Sequence, residues 1–135
     1  MGYEVFVMKF KDGEAAEIPY EKLCSVLSKY GELHDGNFGK EFVSNVGEIC
    51  DYASLSGSES EGYCGVTFSR PTTHEKLPYL IYDLLGIEGT CFFGPDLEFV
   101  HSRNNMQQHY PPQLLENLEE GLKVISSPMD SWPLK

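Results

Sequence analysis

Apolar and polar residues alternate in several short runs that are rich in aromatic and β-branched side chains, which is the pattern of half-buried strands. In chain order the runs are YEVFVMKF, EFVSNV, EICDYASL, YCGVTFSRP, TCFFG, LEFVHS and LKVISS. Residues 48–55 and 62–69 flank the polar segment SGSESEG and predict an antiparallel hairpin. TCFFG and LEFVHS flank a GPD turn and predict a second hairpin.

Other segments carry apolar residues at the three- and four-residue spacing of amphipathic helices. The first follows Pro19 and ends before Gly31. The second, TTHEKLPYLIYDLLG, ends at Gly86, and the third is PPQLLENLEEG, with proline at its start and glycine at its end. The segment GELHDGNFGK is dense in turn-forming residues and predicts a loop.

These elements follow one another in the order β-α-β-β-β-α-β-β-α-β. Hairpins separated by helices are typical of α+β proteins, in which helices cover one face of an antiparallel sheet. We therefore predict one α+β domain over residues 1–135, with a mainly antiparallel sheet and about three helices. A chain of 135 residues is long enough to bury a core of its own.

The chain is strongly acidic, with a formal net charge of −11 and a pI near 4.6. Nucleic-acid binding needs clustered lysine and arginine, so this charge argues against it. No apolar stretch approaches the roughly 20 residues of a membrane helix, and the N-terminus has no basic segment of the kind that begins a signal peptide. The sequence predicts a cytoplasmic protein that does not bind membranes.

Cysteines and histidines form no recognisable catalytic or metal motif. Cys24, Cys50, Cys64 and Cys91 are widely spaced, without a C-x-x-C pair, and buried packing is the usual role of such residues. We expect no catalytic residue, cofactor or metal. An alternative stays open, in which Cys64 or Cys91 is the nucleophile of a small hydrolase or transferase and a histidine is its base. The histidines are His34, His74, His101 and His109.

The segment SGSESEG, residues 56–62, nearly matches the G-x-S-x-G turn of hydrolases. A strand-like run follows it where that turn requires a helix, and its glutamates oppose phosphate binding. It is predicted to be a solvated hairpin tip. The alternative that stays open is an acidic finger, in which Glu59 and Glu61 are flanked by Tyr52 and Tyr63. Acidic residues interleaved with tyrosines suit a basic protein partner. The predicted partner-binding residues are Asp51, Tyr52, Glu59, Glu61, Tyr63, Asp96 and Glu98.

Four segments carry a family resemblance over most of the chain: YEVFVMKFKDGE, IPYEKL, GVTFSRP and YPPQLLENL with the later LKVISS. Together they resemble a group of small bacterial proteins, although Glu4 stands where that group usually has aspartate. As a type, such proteins look like immunity proteins of bacterial toxin systems, including contact-dependent growth inhibition. The resemblance implies a non-catalytic protein that neutralises a basic toxin domain. A regulatory subunit of a larger complex is a further alternative.

Overall fold

The computed structural model describes residues 4–37, 39–72, 74–94, 99–104, 107–116 and 121–131. Nine strands are present: β1 (Glu4–Lys11), β2 (Glu14–Ala15), β3 (Gly31–Gly36), β4 (Gly39–Ser44), β5 (Tyr52–Ser58), β6 (Gly62–Ser69), β7 (Thr90–Phe93), β8 (Phe99–Ser102) and β9 (Gly121–Val124). Two helices, α1 (Tyr20–Leu27) and α2 (Lys76–Leu84), have eight and nine residues. Shorter helical turns lie at Gln107–His109, Pro112–Glu116 and Pro128–Ser131.

All nine strands belong to one mixed sheet. Eight of them follow the order β3-β4-β5-β6-β1-β7-β8-β9, and β2 pairs with β1. The pairs are antiparallel except β8 with β9, which is parallel. The pairing of β5 with β6 and of β7 with β8 confirms both predicted hairpins.

The predicted fold, a mainly antiparallel sheet with about three helices, is wrong. Within the described ranges the sheet is mixed and has nine strands, and two helices are longer than five residues. In the described part of the third predicted helix, helical structure covers Pro112–Glu116, and residues 117–120 lie outside the described residues. The predicted loop after Gly31 contains β3, because an edge strand tolerates polar side chains and needs only Leu33 to face the core.

The main core lies between one face of the sheet and the two helices. Val5, Val66 and Phe68 point from the central strands toward Leu23 of α1 and Leu80 of α2, and all of these side chains are fully buried. The hydroxyl of Tyr30, which follows α1, donates a hydrogen bond of 2.5 Å to the Asp83 carboxylate of α2. The two helices are therefore joined to each other as well as to the sheet.

A second, smaller core covers part of the opposite face. Phe10, Cys91, Phe93 and Val100 point away from the helices on β1, β7 and β8, and Tyr110 from the C-terminal segment packs onto them. Phe10 and Tyr110 meet edge to face, with ring centroids 6.4 Å apart. In the described part of the chain, this second layer stops at β1 and leaves the same face of β3 to β6 uncovered.

Neither helix in the described ranges has the length and apolar character needed to cross a membrane.

Candidate functional site

We define the open face as the uncovered side of strands β3, β4, β5 and β6 with the first residue of β1. Burial alternates along β5, where Ala53 and Leu55 are buried against the helices and Tyr52 is 40% exposed. Val43 on β4 is 54% exposed, while its neighbour Phe42 is buried. Strand pairing places the open-face residues side by side: Glu4, Glu32, His34, Glu41, Val43, Tyr52, Ser54, Ser56, Thr67 and Ser69.

Hydrogen bonds between neighbouring strands hold two open-face carboxylates in place. The Tyr52 hydroxyl donates to Oε2 of Glu41 at 3.0 Å, and the Ser69 hydroxyl donates to Oε2 of Glu4 at 3.0 Å. Each carboxylate has one oxygen engaged in this way and keeps further acceptor positions for a ligand. The arrangement presents ordered acceptors that match the donor groups of arginine and lysine side chains.

The charges on the open face are mostly negative. Among the described residues of these strands, the ionised side chains on this face are Glu4, Glu32 and Glu41. Asp51 lies at the start of β5 and forms an exposed ion pair of 3.4 Å with Arg70. The pair offsets the charge of Asp51, although an exposed pair of this kind contributes little to stability.

A cleft of about 240 Å³ adjoins the open face where β4 and β5 diverge. The two strands pair only at Glu41 with Ser54 and at Phe42 with Ala53. Beyond that point the cleft is lined by Val43 and Tyr52 and by the segment from Gly47 to Asp51. Exposed Glu48 adds a carboxylate to its rim. The cleft gives the open face a concave, acidic end.

The structure divides the predicted partner-binding residues between different surfaces. Tyr52 belongs to the open face, and Asp51 lies at its end, paired with Arg70. Tyr63 points into the main core, with 8% of its surface exposed. Glu59 and Glu61 lie in the turn between β5 and β6. The last two, Asp96 and Glu98, lie outside the described residues.

The segment SGSESEG is the tip of the β5–β6 hairpin, as predicted. β5 continues to Ser58 and β6 begins at Gly62. The backbone N–H of Glu61 donates to the Ser58 hydroxyl at 3.1 Å, which closes the turn. Strand structure on both sides means that no helix follows the serines, as a hydrolase elbow would require.

Three of the four thiols, those of Cys50, Cys64 and Cys91, are poorly suited to nucleophilic catalysis. Burial raises the pKa of Cys64 and raises that of the fully buried Cys91 much further, and it raises the pKa of Cys50 to about 11. A nucleophilic cysteine needs the opposite shift. Two of the histidines have other partners: His74 accepts the backbone N–H of Lys76 at 3.1 Å, and His109 lies 3.6 Å from Asp12. The described residues hold no cluster of three or more potential metal ligands.

Sequence reasoning missed Glu4, Glu32 and Glu41, which carry the charge of the open face. Glu32 lies in the segment predicted as a loop, and Glu41 begins the short predicted strand EFVSNV. The available signal was the alternation of these glutamates with Leu33 and Phe42, which marks the side of the strand turned away from the core. Which part of the sheet stays uncovered depends on where the C-terminal segment packs, and the alternation of residues does not predict that packing.

Comparison of the chain with protein-family models, curated proteins and solved structures gives no match.

Proposed function

We propose that this protein is a non-catalytic binding protein that contacts a basic protein partner through its open face. One observation carries the proposal: an uncovered area of sheet presents ordered carboxylates beside an exposed tyrosine and an exposed valine. Tyrosine is enriched at the centres of protein interfaces, and carboxylates around it select a basic partner.

The more specific proposal is an immunity protein that acts in the cytoplasm and neutralises a cognate toxin domain. Support comes from the net charge of −11, from the raised pKa values of three thiols and from the resemblance described above, which stays a prediction. A basic nuclease or similar toxin would be attracted by the long-range field of this chain and docked by the open face.

The test is co-expression in a bacterial host with the toxin domain encoded beside this protein's gene. The wild-type chain should restore growth. The open-face variant, Glu4→Lys with Glu32→Lys, should restore it poorly. The control variant, Glu75→Lys with Glu88→Lys, makes the same change of charge at exposed positions before and after α2, and it should protect like the wild type. Killing that the wild-type chain does not relieve would overturn the immunity proposal.

A further inference from the structure

A second cleft, of about 260 Å³, lies beside the tip of the β5–β6 hairpin on the helix side of the sheet. We call it the tip cleft. Its lining comes from the β2–α1 connection, the beginning of β4 and the hairpin tip: Glu17, Ile18, Tyr20, Lys40, Glu59, Gly62 and Tyr63. Its volume is just below the roughly 300–1,000 Å³ of drug-sized ligand sites, so it suits a single side chain.

Two tyrosines form the walls of the tip cleft. The rings of Tyr20 and Tyr63 have centroids 5.7 Å apart, and Tyr20 is 41% exposed. Tyr63 is only 8% exposed, and its hydroxyl makes no hydrogen bond within the described residues. Buried hydroxyls normally have a partner, so this hydroxyl offers a bond to a group that enters the cleft.

The tip cleft also carries an excess of negative charge. Lys40 is its only cation among the described residues, and its Nζ forms an ion pair of 2.7 Å with Asp35. The positive charge of Lys40 is offset by the negative charge of Asp35, so the charges of Glu17 and Glu59 remain unbalanced. The Glu17 carboxyl group lies against the backbone of Gly62, where a Cβ atom would be 2.6 Å from its Cδ. Glu17 is thus positioned by contact with the hairpin.

We propose that the tip cleft binds an arginine side chain of the protein partner, an inference that rests on the proposed function. The guanidinium plane stacks on the exposed ring of Tyr20, and its N–H groups donate to Glu17, Glu59 and the Tyr63 hydroxyl. Arginine fits better than lysine because it is flat and carries five donors in a fixed arrangement, whereas the lysine ammonium is compact and strongly hydrated. The open face and the tip cleft then contact the partner on two sides of the hairpin.

The test uses Nα-acetyl-arginine methylamide as the probe and follows the backbone amides of Gly62 and Tyr63 by ¹H–¹⁵N NMR. The arginine compound should cause saturable shifts in the millimolar range. The citrulline analogue, which has the same shape without the charge, should cause none. Glu17→Gln with Glu59→Gln should weaken binding about tenfold. Glu14→Gln with Glu61→Gln, which neutralises two exposed glutamates outside the lining, should leave it within about twofold.

Tyr63→Phe keeps the ring and should weaken arginine binding severalfold, because only the hydroxyl is lost. Equal shifts with citrulline, shifts that do not saturate, or the same response to calcium chloride would overturn the proposal, since each would show that the cleft does not recognise a guanidinium group. Failure here is separable from failure of the proposed function. Loss of protection in the open-face variant is measured without this probe, and arginine binding is measured without the partner.

Discussion

Tyr52 and Tyr63 lie on the two strands of one hairpin and point to opposite faces of the sheet. Tyr52 pairs with Ser69, and the pairing continues with one register as far as Ser56. There it shifts, so that Tyr63 pairs with Gly57 and Cys64 is passed over. In the unshifted register Tyr63 would stand opposite Ser58 and share the face of Tyr52. The acidic finger was predicted to carry both tyrosines on one surface. Because of this bulge, Tyr52 lies on the open face and Tyr63 lines the tip cleft.

Substitutions at two neighbouring positions of β4, one on the open face and one in the core, should differ sharply in their effect on the free energy of unfolding. Val43 is 54% exposed and Phe42 is 5% exposed. Val43→Thr should change the free energy of unfolding by less than about 0.5 kcal/mol, because the side chain is mostly exposed and keeps almost the same volume. Phe42→Ala should cost about 3–5 kcal/mol through lost burial and a cavity. Urea unfolding measures both values, and comparable losses would show that the face is covered.

Gly62 and Gly13 offer a matched test of how the hairpin tip holds Glu17. Their φ angles are 91° and 89°, so alanine should cost each about 1 kcal/mol of backbone strain. A Cβ at Gly13 has no atom within 4 Å, whereas at Gly62 it would be 2.6 Å from the Glu17 carboxyl carbon. Gly62→Ala should therefore cost at most about 0.5 kcal/mol more, because the exposed Glu17 side chain can rotate away from the added Cβ. Adding Glu17→Ala to each variant should remove that difference. Thermal unfolding of the two single and two double variants measures it, and a difference that persists without Glu17 would contradict this account.

The free energy of unfolding should fall as the pH rises above 10, and Tyr110 should contribute to this pH dependence. Burial raises the pKa of Tyr110 to about 12 from an unfolded value of 10.0. The unfolded chain loses this proton first, so the stabilisation is complete below pH 10 and is lost as the pH rises toward 12. Tyr110→Phe should flatten the curve by up to about 1.4 kcal/mol per pH unit above that point. Denaturant unfolding across this range tests it, and parallel curves for the two proteins would contradict it.

Cys50, Cys64 and Cys91 should alkylate slowly in the native protein at neutral pH. Cys91 is fully buried and should react only after unfolding, while the raised pKa values of Cys50 and Cys64 lower their thiolate fractions. Iodoacetamide labelling followed by mass spectrometry gives the rate at each site, with the urea-unfolded chain as control. A native rate for Cys64 above that of glutathione would instead favour the thiol-enzyme alternative.

Local patterns in the sequence predicted the hairpins and both main helices, because alternation, proline and glycine act over a few residues. The helices are shorter than predicted, since α1 ends at Leu27 and α2 begins at Lys76. Local patterns missed β3, whose edge position permits polar side chains. They also missed the bulge after Ser56, which turns Tyr63 inward. Local patterns could not predict the uncovered face either. It depends on where the segment around Tyr110 packs, and that contact joins distant parts of the chain.

The central claim is that the open face docks a basic partner. Its most direct test uses the protein encoded beside this protein's gene, which the proposal expects to be a basic toxin domain. The association rate constant with that protein is measured by stopped flow as a function of ionic strength. The proteins compared are the wild type, the open-face variant Glu4→Lys with Glu32→Lys, and the control variant Glu75→Lys with Glu88→Lys.

For the wild type and the control variant, the rate constant should fall about tenfold or more as salt is raised from roughly 0.02 to 0.5 M, because the charges steer association. The open-face variant should start about tenfold lower and depend much less on salt. Equal slowing in the two variants would show that only net charge matters, and it would contradict a binding role for the open face.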